Sequence, residues 1–319
     1  TPVTAMRVWG DDGGELHFSA SDQASDALTW IVDVPALEQR LSDAVGFQGS
    51  IERVTETPAA ALTVVCEGKR SQTREQLGLA FDVRPYDHKA VAARLRCEVP
   101  HGGVAHECFG YERTLAVLPL PNDPQEGHAL CSVVVTAGTA DAGALMAQSP
   151  QAFAATVQAQ LGDRLGPLQL EGERHAYPLV AVYAQRFADH RCALLGDAAV
   201  GMHPVTAHGY NLGLAGVERL TAALVSARQR GQDIGSADAL APYAQGHHRH
   251  AWPIYQGTNA IVRLYTDARP VPRLLRQLVL QGARRLPPLQ AAIVGQLTGQ
   301  APAWMRVLAP GRLAELRKN

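Results

Sequence analysis

Cysteine is scarce and badly arranged for cross-linking. The 319-residue chain holds five, Cys66, Cys97, Cys108, Cys131 and Cys192, an odd number with no C-x-x-C pair. That argues against a disulfide framework and a cysteine-held zinc site, and it points to a reducing compartment. Five small buried hydrophobes is the plain reading. Charge is lean, at 18% of residues with a net of -1, and aromatics reach only 6%. No aromatic stacking platform accompanies the basic C-terminal run, so nucleic acid is not an expected partner. No apolar stretch approaches the roughly 18 unbroken residues of a membrane-spanning helix. An export signal is not expected either, because the chain opens on Thr1 with Asp11 and Asp12 close behind.

What remains is a chain with 46% apolar residues, long enough for one large or two modest domains. Met6 to Trp9 reads as a strand, Asp11-Asp12-Gly13-Gly14 as a turn, and Glu15 to Phe18 as the partner strand. Pro35 to Val45 reads as a helix with Leu37, Leu41 and Val45 on one face. Ala60 to Cys66 has the pattern of a buried strand and runs into Glu67-Gly68, then Ser71 and Arg74. Ala90 to Val99, Leu115 to Leu120 and Leu130 to Thr136 are strand-like, and Gln151 to Leu161 is a helix. Cys192 to Leu195 is a short buried strand. Leu212 to Arg230 is a helix, apolar at Leu214, Val217, Leu220, Leu224 and Val225 and ended by Gly231. Beyond Asp238 the chain reads as helical, with breaks at Pro270, Pro272, Pro287 and Pro288. The order predicts a mixed α/β (α+β) fold: a nucleotide-binding domain interrupted by a β-rich insertion.

Chemistry concentrates between Arg191 and Leu214. A buried strand ends at Gly196, and Asp197 is then presented by a turn. An irregular loop carrying Pro204 and Gly209 follows, and Asn211 stands where an N-cap belongs. A carboxylate at a strand end suits a pair of sugar-like hydroxyls. A helix start facing a cleft suits a group that gains negative charge. A reduced flavin offers both.

Two histidine groups stand apart. His247, His248 and His250 place two rings on one helical face, which reads as a metal pair or as a solvated helix end. His101 and His106 flank a strand end, where they line a substrate cavity or make structural hydrogen bonds.

The stretch from Gly196 to Asn211 resembles the second FAD motif of the para-hydroxybenzoate-hydroxylase-like flavin monooxygenases, G-D-A-A-H-x-x-x-P-x-x-G-Q-G-x-N. Tyr86, Pro100-His101, Phe109, Leu118-Pro119-Leu120, Tyr177-Pro178-Leu179 and the run from Thr258-Asn259 to Leu264 resemble the spacing of the FAD-dependent aromatic hydroxylases of ubiquinone biosynthesis. The likeness spans about Met6 to Gly299. It implies that Asp197 binds the ribityl chain, that Pro204 to Gly209 packs beside the isoalloxazine, and that Asn211-Leu212 faces its pyrimidine edge. Glu67-Gly68, Ser71 and Arg74 match the family motif near the flavin pyrophosphate, which is linked to NAD(P)H use. Val200 stands for the usual His, Ala207 for the first Gly of G-Q-G, His208 for the Gln and Gly216 for a common Asp. These departures suggest a divergent branch, of the demethoxyubiquinol-hydroxylating type. Beside a flavin, His208 could move protons near neutral pH, and a loop histidine facing solvent is the alternative.

The family opens with G-x-G-x-x-G, which this sequence lacks, so a βαβ unit of roughly 30 residues is expected to be missing and the protein to be flavin-free. The resemblance implies a discontinuous FAD domain over 1–80 and 180–230, a substrate-binding β-sheet domain over 81–179 and helices from 231 to 319. It implies a monooxygenase that uses FAD, NAD(P)H and O2, through a flavin C4a-hydroperoxide, on a prenylated phenol or quinol. A flavin-less subunit of a lipid-biosynthesis assembly, or a reductase or halogenase on the same scaffold, are the other readings. From Ile261 onward ten basic residues face only Asp267 and Glu315, which suits an anionic membrane surface or a solvated tail. A cytoplasmic protein, peripheral on the inner membrane and working within a ubiquinone-biosynthesis complex, is the expectation.

Overall fold

The computed structural model describes residues 1–266 other than 12, 13, 24 and 111. The chain begins with four short strands, β1 (Pro2–Val3), β2 (Ala5–Gly10), β3 (Glu15–Ser19) and β4 (Thr29–Trp30). Helix α1 (Val34–Gly46) starts where Pro35 presets the first turn, yet no residue of it is buried: of the expected stripe Leu41 is exposed and Leu37 and Val45 are only half-buried. Then come β5 (Thr63–Val65), the one-turn α2 (Gln72–Gln76) and the long β6 (Phe81–Cys97). Strands β7 (Val104–Phe109), β8 (Arg113–Pro119) and β9 (Ala129–Gly138) precede α3 (Thr139–Ala147) and α4 (Pro150–Leu161). The rest comprises β10 (Leu168–Ala184), β11 (Ala188–Asp189), β12 (Cys192–Leu194), β13 (Val200–Gly201), α5 (Gly209–Gln229) and α6 (Ala237–Thr266). The mixed α/β class is as expected.

The chain divides into two units. One comprises Thr1–Trp9, His17–Ala60 and Ala90–Tyr177; the other comprises Gly10–Leu16, Ala61–Lys89 and the chain from Pro178 onward. Both long strands, β6 and β10, leave one unit and enter the other along their length.

In the first unit the strand order is β10-β6-β9-β8-β7-β2-β3. Register fixes the faces: Cys108 lies opposite Leu115 and Leu115 opposite Val135, while Val117 lies opposite Val133. Those side chains point into one core, which α4 closes with Phe153, Val157 and Leu161. Helix α4 begins cleanly because the Ser149 hydroxyl accepts the Ala152 N–H at 3.1 Å, and Gly162 at φ 70° ends it.

In the second unit β12 runs parallel to β5 and antiparallel to β11. Leu194, Leu195, Leu212, Leu220, Leu240 and Tyr243 share its core. The buried strand expected over Ala60 to Cys66 narrows to three residues, of which only Val65 is buried. Helix α5 also differs from its reading. It starts at Gly209, and its inner face is Leu212, Gly216, Leu220, Ala223 and Ala227, whereas Leu214, Val217 and Val225 are exposed. Small residues face inward because α5 and α6 approach closely there. The basic run from Arg269 and the proline breaks at 270, 272, 287 and 288 lie outside the described residues.

Candidate flavin site

The site is assembled by one excursion of the chain in the second unit. Strand β12 ends at Leu194, and the N–H of the next residue, Leu195, donates to Val65 O at 2.9 Å. Gly196 then takes φ 58°, a conformation that glycine adopts without strain, and the chain turns to present Asp197. After β13 comes a single 3-10 turn, Pro204–Thr206, and Ala207 follows at φ 51°. That left-handed conformation costs an alanine roughly 1–2 kcal/mol, and it is the one the family's glycine would supply freely. The residue is strained at the place the resemblance marks.

Asp197 is half-buried and accepts no hydrogen bond from the described residues. Its Oδ1 lies 4.0 Å from the point a Cβ on Gly209 would occupy, so the carboxylate faces the first residue of α5. Burial pushes its pKa up, with the Lys69 ammonium pulling the other way. The start of α5 is open. His208 is the N-cap, and its side chain makes no capping bond to the helix. Amides in a first turn have no intrahelical acceptor, so they offer donors and a positive dipole end to an oxygen of a ligand.

Several expected residues occupy other roles. Asn211 is not the N-cap; it is the third residue of α5 and exposed. The Leu212 N–H is spent within the helix, donating to His208 O at 2.8 Å. His208 is buried, which rules out the solvent-facing alternative. Pro204 is exposed, and its carbonyl accepts the Ala207 N–H at 2.9 Å.

The Glu67 to Arg74 segment holds the loops together. The Glu67 carboxylate accepts from the Ser71 hydroxyl at 2.7 Å, the Thr73 N–H at 3.0 Å and the Thr73 hydroxyl, so it caps α2. These bonds, led by the one from the Thr73 hydroxyl, hold its pKa below the ordinary value. Gly68 takes φ 82°, which lets the chain double back. Arg74 is 0% exposed. Its guanidinium donates to Ala198 O at 2.9 Å and Lys69 O at 2.8 Å and lies 3.8 Å from the centroid of the Phe81 ring. Arg74 is thus an internal brace between the Gly196–Ala198 turn and the loop before α2. Lys69 was not anticipated: it lies across Gly201 and donates to Met202 O at 3.0 Å.

Of the three histidines on α6, His250 is exposed, as a solvated helix end requires, whereas the other two pack. His247 is buried and stacks on Tyr243 at 5.6 Å, and His248 stacks on Trp252 at 6.1 Å, within an aromatic face of α6. No group of three or more metal-ligating side chains occurs among the described residues. His101 anchors its turn through Leu120 O at 2.9 Å and the Gly103 N–H at 3.1 Å. His106 is buried, its ring 5.9 Å from that of Trp9.

These residues fit a flavin. A half-buried carboxylate that accepts no hydrogen bond from the described residues suits ribityl hydroxyls, and a helix start without a side-chain cap suits an oxygen that gains charge. Such a strand–turn–helix, in an α/β unit continuous with an antiparallel β-sheet unit, is the fold class of the FAD-dependent monooxygenases. The p-nitrophenol 4-monooxygenase PnpA of Pseudomonas putida shares it, with a TM-score of 0.67 over 92% of this chain and 81% of that one at 16% identity. The chain belongs to the FAD binding domain family, whose model it matches over residues 39–258. Its curated relatives include the ubiquinone hydroxylase UbiM of Neisseria meningitidis, 43% identical over 75% of this chain and 51% of that protein. The ubiquinone hydroxylase UbiL of Rhodospirillum rubrum is 34% identical over 76% of this chain and 56% of that protein. The chain therefore spans about half the length of these relatives.

Proposed function

We propose that this chain belongs to a flavin-dependent monooxygenase that hydroxylates a prenylated phenol or quinol ring in ubiquinone biosynthesis, with O2 as oxidant and NAD(P)H as electron donor. The observation that carries the reading is Asp197, a half-buried carboxylate that accepts no hydrogen bond from the described residues and faces the start of α5 across Gly209. The names of the relatives, ubiquinone hydroxylases, support the substrate class.

Bound FAD would supply the oxygen chemistry. Asp197 would hold its ribityl hydroxyls, and the first-turn amides of α5 would stabilise negative charge on the reduced ring. Lys69 and Arg74 keep the loops around that place in position. No protein nucleophile is required. Replacing Asp197 by Ala is expected to weaken FAD binding by roughly 5- to 150-fold, since unpaired hydroxyls cost roughly 1–3 kcal/mol. Stoichiometric FAD in the variant would refute the assignment. Reaction with a phenolic lipid under labelled O2 tests the activity, and a product without label excludes hydroxylation.

The setting is part of the same proposal: a cytoplasmic protein, peripheral on the inner membrane and working within a ubiquinone-biosynthesis complex. No helix among the described residues is long and apolar enough to cross a membrane, and a polyprenyl substrate resides in one. The arginines from Arg263 onward supply the charge for an anionic surface. Liposome binding indifferent to anionic lipid would count against that contact.

A further inference from the structure

The first unit holds two thiols that the hydroxylase assignment does not use. Cys97 is the last residue of β6 and Cys131 lies near the start of β9, and these strands are neighbours in the sheet. Both side chains enter the core that α4 closes. Their sulfurs are hydrogen-bonded at 3.2 Å. The other three cysteines are placed differently. Cys108 sits two strands beyond β9, on β7, where Gln160 Nε2 donates to its sulfur at 3.5 Å. Cys66 and Cys192 belong to the second unit.

The pair is chemically unequal. A bond donated by the Cys131 thiol stabilises the Cys97 thiolate and holds the Cys97 pKa below its ordinary value, against the effect of burial. The same bond, reinforced by burial, pushes Cys131 up. Thiolate is the nucleophilic form, so Cys97 is the attacking sulfur and Cys131 the resolving one. A nucleophile with a second thiol in contact is the arrangement of reversible thiol oxidation. Burial decides which oxidant can reach them. Cys97 is 2% exposed and Cys131 0%. Yet Cys97 ends its strand, and Glu98, Val99 and Pro100 directly after it are exposed. Strand ends open locally at low cost, so hydrogen peroxide, little larger than water, is the oxidant that fits.

We propose that Cys97 and Cys131 are a peroxide-responsive thiol pair, closing to a disulfide that ties β6 to β9 and reopening with thiol reductants. The Cys97 thiolate attacks one oxygen of hydrogen peroxide and the O–O bond breaks. Cys97 becomes a sulfenic acid, and the departing hydroxide takes up the proton that Cys97 gave, leaving as water. The Cys131 sulfur then displaces the sulfenic oxygen, which departs with the Cys131 proton as a second water. Two thiols lose two electrons and two protons, and one peroxide becomes two waters. The sulfurs have only to close from contact to the roughly 2.05 Å of a disulfide. In a reducing compartment the pair rests as thiols and closes when peroxide rises. On the hydroxylase reading, oxygen reduced without a hydroxylated product leaves as hydrogen peroxide, so the oxidant arises at the same protein. The pair itself does not depend on that reading.

The test uses the folded full chain with the exposed Cys66 changed to Ser, which prevents bridging between copies. After hydrogen peroxide in small excess, the protein is unfolded, alkylated and digested. Its mass should fall by two hydrogens, and the digest should hold one disulfide-linked pair of peptides, joining Cys97 to Cys131. Dithiothreitol should restore both thiols. Cys131→Ser keeps a hydrogen-bond donor but cannot resolve, so Cys97 should stall as a sulfenic acid that dimedone traps on unfolding. Cys97→Ser should leave Cys131 a thiol. Two reduced thiols in the treated parent overturn the inference, and so does a bridge to Cys108 or Cys192 in place of this one. Oxidation of Cys131 in Cys97→Ser, with none of Cys97 in Cys131→Ser, overturns the roles. The parent's peptide map decides alone if a variant fails to fold. No flavin enters the experiment, so its failure leaves the Asp197 test and the hydroxylase reading untouched.

Discussion

Arg74 separates a packing role from a ligand-binding one, and the two predict different losses. Its guanidinium is sealed inside, donating to Ala198 O and Lys69 O and lying over Phe81. Arg74→Met keeps the apolar stem and deletes the donors. Two charge-assisted bonds go, worth roughly 1.5–3 kcal/mol each. Relief from burying a charge whose Nε has no partner offsets part of that loss. A net destabilisation of about 2–4 kcal/mol remains. In urea, with a slope of about 2 kcal/mol per molar, the midpoint of the flavin-free protein should drop by roughly 1–2 M at unchanged slope. The resemblance alone puts Arg74 near the pyrophosphate, where the same variant would lose FAD affinity and keep its unfolding midpoint. An unfolding free energy within about 0.5 kcal/mol of the parent, together with lost FAD, would refute the brace.

Gly216→Asp, which restores the residue common in the family, puts a Cβ 3.0 Å from His247 Nε2 and 3.0 Å from Leu195 Cδ2. Overpacking of this kind should cost about 1–3 kcal/mol. His247→Ala in the same chain should recover part of it, and a parental melting temperature for Gly216→Asp alone would show that the close approach is wrong. Acid should destabilise the fold through its neutral histidines. Burial, the main cause, brings His203 and His247 down to about 4 from an ordinary 6.5. Between those values the unfolded chain binds more protons, so stability falls as pH falls, by up to about 1.4 kcal/mol per pH unit for each histidine. His247→Gln should flatten that limb, and an unaltered slope would exclude it as a contributor.

How far the fold could be read depended on periodicity. Strands β8 and β9 and helix α4 were legible because their apolar residues recur at the spacing of the element. Strand β10 was not, since its first half is polar and Pro178 stands in its middle, and β7 carries His106 and Glu107 among its residues. The face of α5 was misjudged for a different reason. Large side chains were taken as the core, but at a close helix–helix approach small ones face inward. The same limit applies to the site. A glycine turn, a presented aspartate and a proline loop are chain geometry and show in one dimension. What fills Arg74's surroundings, or sets Asn259 against Tyr86, depends on segments more than a hundred residues apart.

The four departures from the family pattern then become evidence about packing. Val200, in place of His, is a buried strand residue of β13 opposite Tyr183. Ala207 holds the left-handed conformation without the glycine. Gly216 leaves the space that the His247 ring occupies, and His208 is buried at the head of α5. Val200 and Gly216 each match a neighbour, Tyr183 and His247, and the Asp197 carboxylate still faces the start of α5. A chain released from flavin binding would have no reason to keep a strained alanine, an uncapped helix start and a half-buried carboxylate together, because each lowers stability and only a ligand offsets them. Their occurrence together is the physical argument that the site is built for a ligand.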